Sequence, residues 1–346
     1  MANDLGNTGR RVRMKDIAAD LGLSVVTVSK VFLGRSDIGN ETRGRVLARM
    51  AELNYQPNVA ARSLATGRSY TMGFVVPDLM HPFFAEIAKY MAGVLRAQGY
   101  HLMMSSSLDE AAVEADQLEH LLNRGVDLLM VASSHVDPGV LQPVLDRHVP
   151  LILVDRQFEG FPAHFVGVDD RLTGRLATRH LVEQGYQRIA HIGPTNASTA
   201  AGRAAGYREA LAEAGMKIGP DHVQATAHGD DSAEDSGYEA MQRLLAARPR
   251  PDAVFCFNDP TAIGAMKAIL EAGLRIPQDM AVVGCGNIRN SDFLAVPLTT
   301  IDQDGRGIGL KTAKLALSLV EQPSRHRTIL LEQRLIPRAS SLRLPR

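Results

Sequence analysis

From Tyr70 onward, short β-rich runs alternate with longer amphipathic ones, and that alternation leaves few folds open. The runs are TMGFVVPD, YHLMMSS, VDLLMVA, PLILVD, RIAHIG, DAVFCFND and MAVVGCG. Stretches of helical period separate them, at 82–98, 110–123, 138–147, 201–214 and 260–272. Strands joined by crossover helices build parallel sheets covered by helices on both faces. Roughly ten strands are too many for one compact sheet, so two similar Rossmann-like α/β lobes are expected.

The first seventy residues break the pattern. Residues 1–11 are polar and read as a disordered tail, and 12–56 read as several short helices. Within them GLSVVTVSKVF, residues 22–32, has the valine and threonine content of a strand. On a 3.6-residue period, however, Val28, Val31 and Phe32 share one face, as in an amphipathic helix. Ser24 is a suitable N-cap, because its hydroxyl can accept a first-turn N–H. Upstream, Ile17, Ala18 and Leu21 form a matching face, and Gly22 supplies the turn between. Helix, glycine turn and helix make a helix-turn-helix, whose second helix can enter a major groove. A helical hairpin with no DNA role fits the same pattern, and charge separates the two. The chain as a whole is neutral, yet residues 1–70 hold eleven Lys and Arg against six Asp and Glu, leaving 27 against 32 in the rest. Phosphate contacts need local positive charge, so a basic head on an acidic body favours DNA.

Other classes are disfavoured. Cys256 and Cys285 sit in apolar, strand-like runs and read as reduced buried thiols. No apolar run approaches the about 18 residues of a membrane span, and no secretory leader is visible, so the cytoplasm is the expected location. HExxH, GxSxG and CxxC patterns are missing and the histidines are scattered, so no catalytic centre, metal or cofactor is expected. DGRGIGLKT, residues 304–312, falls short of a phosphate-binding loop because Leu310 stands where glycine is required, and it reads as the opening turn of a helix.

From about Val12 to about Arg338 the chain strongly resembles the LacI/GalR family of bacterial transcriptional repressors. The resemblance is carried by TVS, ETR, LNYQPN, ARSL, GFVVPD, HPFF, VDLLMVA, GYQRIAHIG, AGRAAGY, AVFCFND, GLRIPQDMAVVG and LTTI. It implies a helix-turn-helix head at 12–56, a hinge helix and linker at 57–69, and a periplasmic-binding-protein-like effector and dimerisation body at 70–340. Lobe 1 of that body is expected at about 70–169 and 301–325, and lobe 2 at about 170–300 and 326–340. Operator DNA, a polar small molecule such as a sugar, and a second copy of the chain are the implied partners. The final SSLRLPR carries no leucine heptads, which favours a dimer over a tetramer.

The same resemblance assigns Val25 and Val26 to base edges, where valine methyls can pack on a thymine methyl. Lys30 can reach a guanine or a phosphate, and Ser24, Thr27 and Ser29 carry hydroxyls suited to the start of the recognition helix and its phosphates. In PNVAARSLAT, residues 57–66, Asn58, Ala61, Arg62 and Leu64 fall in the hinge, with Leu64 as a minor-groove wedge and Arg62 beside phosphate. The alternative for Lys30 is a solvated surface lysine, and for Leu64 an ordinary buried leucine in a docked linker.

The effector cleft is expected at the carboxyl ends of the strands. Its candidates are Asp78, Phe83, Phe84, Asp155, Arg156, Asp169, Arg203, Asn258 and Asp259, with Arg203 matching a ligand-contacting arginine of the family. Carboxylates, amide and arginine suit paired hydroxyls, and phenyl rings suit a sugar face. Asp169 and Asp259 read alternatively as helix N-caps. The chain departs from the family pattern at Leu33, at Gly39, and at GCGN, residues 284–287. There Gly286 replaces a ligand-binding aspartate, and Asn287 is the candidate substitute.

Overall fold

The valine-rich run is a helix. In the computed structural model, which describes residues 12–32, 35, 37–55, 66–134, 137–195, 197–219, 221–226 and 232–343, α1 spans Met14–Leu21 and α2 spans Val25–Phe32. The expected tail 1–11, Leu33, and the hinge residues Asn58, Ala61, Arg62 and Leu64 lie outside the described residues. Propensity alone favours a strand here, and burial overrides it. Val28 and Val31 are buried on one helical face, packed with Ile17 and Ala18 of α1 and with Val46 and Met50 of α3, Asn40–Glu52. The turn between α1 and α2 depends on Gly22, whose φ of 65° is left-handed and suits a residue without Cβ. Residues 1–69 form one compact unit and 70–346 another.

The second unit holds two six-stranded sheets. The chain first builds β1 Thr71–Val76, α4 Pro82–Ala97, β2 His101–Ser106, α5 Ala111–Asn123, β3 Leu128–Val131, α6 Gln142–Asp146, β4 Leu151–Val154 and β5 His164–Gly167. It continues with α7 Asp170–Glu183, β6 Ile189–Gly193, α8 Ser198–Glu213, β7 Val223–Ala225, α9 Ala233–Ala246, β8 Ala253–Cys256, α10 Asp259–Glu271, β9 Ala281–Cys285 and β10 Thr299–Asp302. Last come α11 Gly305–Glu321, β11 Thr328–Leu330 and β12 Arg334–Ile336. The sheet orders are β11-β5-β4-β3-β1-β2 and β12-β10-β9-β8-β6-β7. Strands β3, β4, β8 and β9 are buried along their whole length, as expected for sheets covered on both faces.

Several expectations are adjusted. β12 runs antiparallel to β10, so the second sheet is not wholly parallel. β11 pairs with β5 of the first sheet, so residues 328–330 belong to lobe 1 rather than lobe 2. Thr299–Asp302 form β10 in the second sheet, which moves residues 301 and 302 into lobe 2. The stretch 138–147 is a 3-10 turn, Pro138–Leu141, followed by the short α6, because Pro143 has no N–H to continue a helix through it. The glycines of DGRGIGLKT serve packing. A Cβ at Gly309 would lie 2.4 Å from the carbonyl oxygen of Ile87, so α11 meets α4 closely there.

Lobe 2 depends most on such close approach. A Cβ at Gly174 in α7 would lie 2.0 Å from the carbonyl oxygen of Arg203, and one at Gly206 in α8 would lie 2.0 Å from that of Arg171. The α7–α8 pair can therefore meet backbone to backbone, and this sets where Arg203 enters the cleft. The chain passes between the lobes after β5, after β10 and after β11, so three crossings join the two bodies at one side of the cleft.

Candidate functional site

In the head, Val25 and Val26 open α2 on its outer side, 46% and 66% exposed, while Val28 and Val31 beneath them are buried. The Ser24 hydroxyl accepts the Thr27 N–H at 3.0 Å and lies 2.8 Å from the Thr27 hydroxyl, so this pair caps the helix. Ser29 is half-buried. Lys30 Nζ donates to the Asp37 carboxylate at 2.5 Å, a contact open to solvent on both sides. Such exposed pairs hold little energy, so the lysine can be redirected to an anion at small cost.

In the body, a cleft of about 400 Å³ opens between the carboxyl ends of the two sheets. Asp78, Phe83, Phe84, Asp155, Arg156, Arg203 and Asn258 line it. Phe83 and Phe84 start α4 with ring centroids 5.5 Å apart and present an aromatic wall from lobe 1. Arg203 is only 3% exposed. Its Nε donates to Asp170 at 2.8 Å, its Nη1 donates to the Phe257 carbonyl at 2.8 Å, and its guanidinium carbon lies 4.6 Å from the Phe257 ring centroid. Asp155 sits at a left-handed φ of 65° and accepts from Gln303 Nε2 at 3.2 Å. Burial pushes the Asp155 and Asp170 carboxyls above their ordinary range, against the pull of Arg203. Arg156 Nη1 lies 3.3 Å from both the Asp109 carboxylate and the Ser133 carbonyl, and its buried Nε has no partner among the described residues. Asp78 is exposed and accepts the Met80 N–H at 2.7 Å.

Three expected contacts are absent from the cleft lining, and each is engaged elsewhere. Asp169 caps α7, accepting the Leu172 N–H at 3.1 Å. Asp259 is fully buried and is not a cap. It accepts from Thr300 Oγ1 at 2.5 Å, Ser291 Oγ at 2.7 Å and the Ile288 N–H at 2.9 Å, which ties α10 to β10 and to the turn that starts at Ile288. Asn287 accepts from Arg338 Nη2 at 2.8 Å, so it does not stand in for the side chain missing at Gly286, which itself lines the cleft.

The structure adds lining residues that the sequence reading passed over: His81, Phe257, Gln303, Cys285 and Ser236. His81 and Phe257 flank motifs already singled out, HPFF and FCFND, so position relative to a strand end could have found them. Gln303 and Ser236 carry no such signal. Cys256 and Cys285 are free and buried, and burial raises both thiols. Among the described residues no cluster of His, Cys, Asp and Glu could hold a metal, and no helix is long and apolar enough to cross a membrane.

A family model described as periplasmic binding proteins and sugar binding domain of LacI family matches residues 69–339, and one described as bacterial regulatory proteins, lacI family, matches 13–58. The HTH-type transcriptional repressor PurR of Pasteurella multocida is 34% identical over 319 residues, covering 92% of this chain and 94% of that protein. The ribose operon repressor of Haemophilus influenzae is 34% identical over 331 residues, covering 94% and 98%. The Lac repressor dimer bound to operator and the anti-inducer ONPF superposes with a TM-score of 0.85 at 29% identity, covering 96% of this chain and all of that one.

Proposed function

Because the chain belongs to the LacI family of DNA-binding transcriptional regulators, we propose that it is a cytoplasmic, dimeric, non-enzymatic repressor whose operator affinity is set by a sugar or sugar derivative held in the cleft. The observation that carries the DNA half is the contrast within α2: buried Val28 and Val31 leave Val25 and Val26 facing outward at its start. Apolar methyls there read a thymine methyl, and Ser24, Thr27, Ser29 and Lys30 approach the backbone. The resemblance adds the hinge residues Asn58, Ala61, Arg62 and Leu64 in the minor groove.

The effector half rests on Arg203 and Asn258 from one lobe meeting Asp78, Phe83, Phe84, Asp155 and Arg156 from the other. A ligand touching both lobes favours the closed arrangement over the open one, and a differential affinity of this kind is what shifts a two-state equilibrium. Such couplings are typically about 1–3 kcal/mol.

Selection from randomised duplexes tests the reading. The wild type should enrich a near-palindrome with half-sites about one helical turn apart. Val26→Gln should enrich a different half-site, because glutamine can hydrogen-bond adenine where valine cannot. No enrichment, or the same site for both proteins, would sink the proposed readout.

A further inference from the structure

Two helix N-caps meet across the mouth of the cleft. His81, from lobe 1, caps α4 by accepting the Phe83 N–H on Nδ1 at 3.3 Å. Asn258, from lobe 2, caps α10 by accepting the Thr261 N–H on Oδ1 at 2.8 Å. Their other ends, His81 Nε2 and Asn258 Nδ2, lie 3.2 Å apart. Each cap determines what the far atom can be. With Nδ1 accepting, a neutral imidazole carries its hydrogen on Nε2. With Oδ1 accepting, the amide presents its NH2. Burial, with the guanidiniums of Arg156 and Arg203 nearby, holds the imidazole at about 4, so it is neutral at neutral pH. In that tautomer two donors face each other 3.2 Å apart.

The neighbourhood repeats the theme. Arg156 Nε is buried without a partner among the described residues. Arg203 uses Nε and Nη1 on protein acceptors, and its Nη2 has none among the described residues. The deep carboxylates are already engaged, Asp155 by Gln303 and Asp170 by Arg203, and Gly286 adds no side chain. Among the described residues the other acidic groups of the lining, Asp78, Asp109 and Glu110, are exposed, and Asp109 pairs with Arg156.

We propose that the effector carries a carboxylate, as a sugar acid does, and that His81 and Asn258 clamp one of its oxygens across the lobes with the two guanidiniums behind. A carboxylate oxygen taken in between the two nitrogens, which must part to admit it, turns the opposed pair into two donated hydrogen bonds. It also brings no hydrogen of its own, whereas a hydroxyl must find an acceptor for its proton beyond this pair. The inference rests on reading the cleft as the effector site, and it narrows the ligand class.

The test is thermal unfolding of the full chain with D-gluconate, D-ribonate or D-glucuronate, each against D-glucose or D-ribose at equal concentration. At least one acid should raise Tm and bind about tenfold or more tighter than its neutral parent. Asn258→Asp keeps the cap on Thr261 but sets a carboxylate where the ligand's belongs, and it should cancel that preference. His81→Asn keeps a cap on Phe83 and removes the ring donor, and should weaken the acid by a similar factor. Neutral sugars matching the acids, silence from all three acids, or acid binding indifferent to both substitutions would each overturn the inference. Operator binding measured on the same samples separates the two readings. Acid binding with no change in operator affinity keeps the clamp and defeats the effector coupling, and a response to a neutral sugar alone does the reverse.

Discussion

The two lobes of the body share a winding and differ in how they hold their cleft charges. In each sheet the fourth strand from one edge, β3 or β8, lies between two parallel neighbours, and the cleft residues follow the carboxyl ends. Lobe 2 seats its cleft arginine inside. Arg203 and Asp170 have side chains 3% and 14% exposed at 2.8 Å, on helices that meet backbone to backbone. Lobe 1 seats its arginine at the edge. Arg156 and Asp109 are 12% and 43% exposed at 3.3 Å, beside the Phe83–Phe84 wall. Lobe 2 thus supplies a rigid charged floor, and lobe 1 an aromatic wall with an adjustable charge. The same fold can carry both because helix crossing, not strand order, decides how deep a side chain is rooted.

Removing the two arginines should expose this difference most. Arg203→Ala leaves Asp170 buried without its cation and should cost about 3–5 kcal/mol in urea unfolding. Arg156→Ala should cost about 1 kcal/mol or less, because its partner is open to water. Equal costs would erase the distinction between floor and wall.

A smaller effect is expected from acid. His191 is buried in lobe 2, stacked on Tyr207 and Phe255 with centroids 5.4 and 5.0 Å away. Burial lowers it from 6.5 to about 4. Its folded value lies below its unfolded value, so its contribution is complete above 6.5 and is lost as pH falls toward 4, by about 3 kcal/mol at most. The carboxyls that burial raises, Asp155, Asp170 and Asp259, act in the opposite sense as pH falls. The quantity to measure is therefore the difference between proteins. His191→Phe keeps the stacking and should lose less stability than wild type between pH 7 and pH 4.5. An identical pH profile would place the acid sensitivity elsewhere.

The smallest pair tests helix approach. Gly206→Ala in lobe 2 drives a methyl into the Arg171 carbonyl and should cost about 1–3 kcal/mol. Gly93→Ala in α4 of lobe 1 meets open space and should stabilise by about 0.5–1 kcal/mol. Losses of equal size at both positions would show that close approach is not peculiar to lobe 2.

The sequence by itself determined the architecture and part of the cleft lining. Periodicity was enough to turn a valine-rich run into α2, because a buried face repeats every third or fourth residue whatever the propensity of its members. The same logic located seven strand runs, and strand ends pointed to Asp78, Asp155, Arg156 and Asn258. Strands β5, β7, β10, β11 and β12 are not among those runs, and only the pairing within the two sheets places them. Residue type alone could not separate Arg203, which enters the cleft, from Asp259 and Asn287, which turn away into Thr300, Ser291 and Arg338. A carboxylate or amide binds whichever donor the fold brings near, and those donors come from segments as many as 51 positions distant in the chain. The opposed donors of His81 and Asn258, 177 positions apart, belong to the same class. Each residue caps its own helix locally, and only the meeting of the two lobes brings their far nitrogens together.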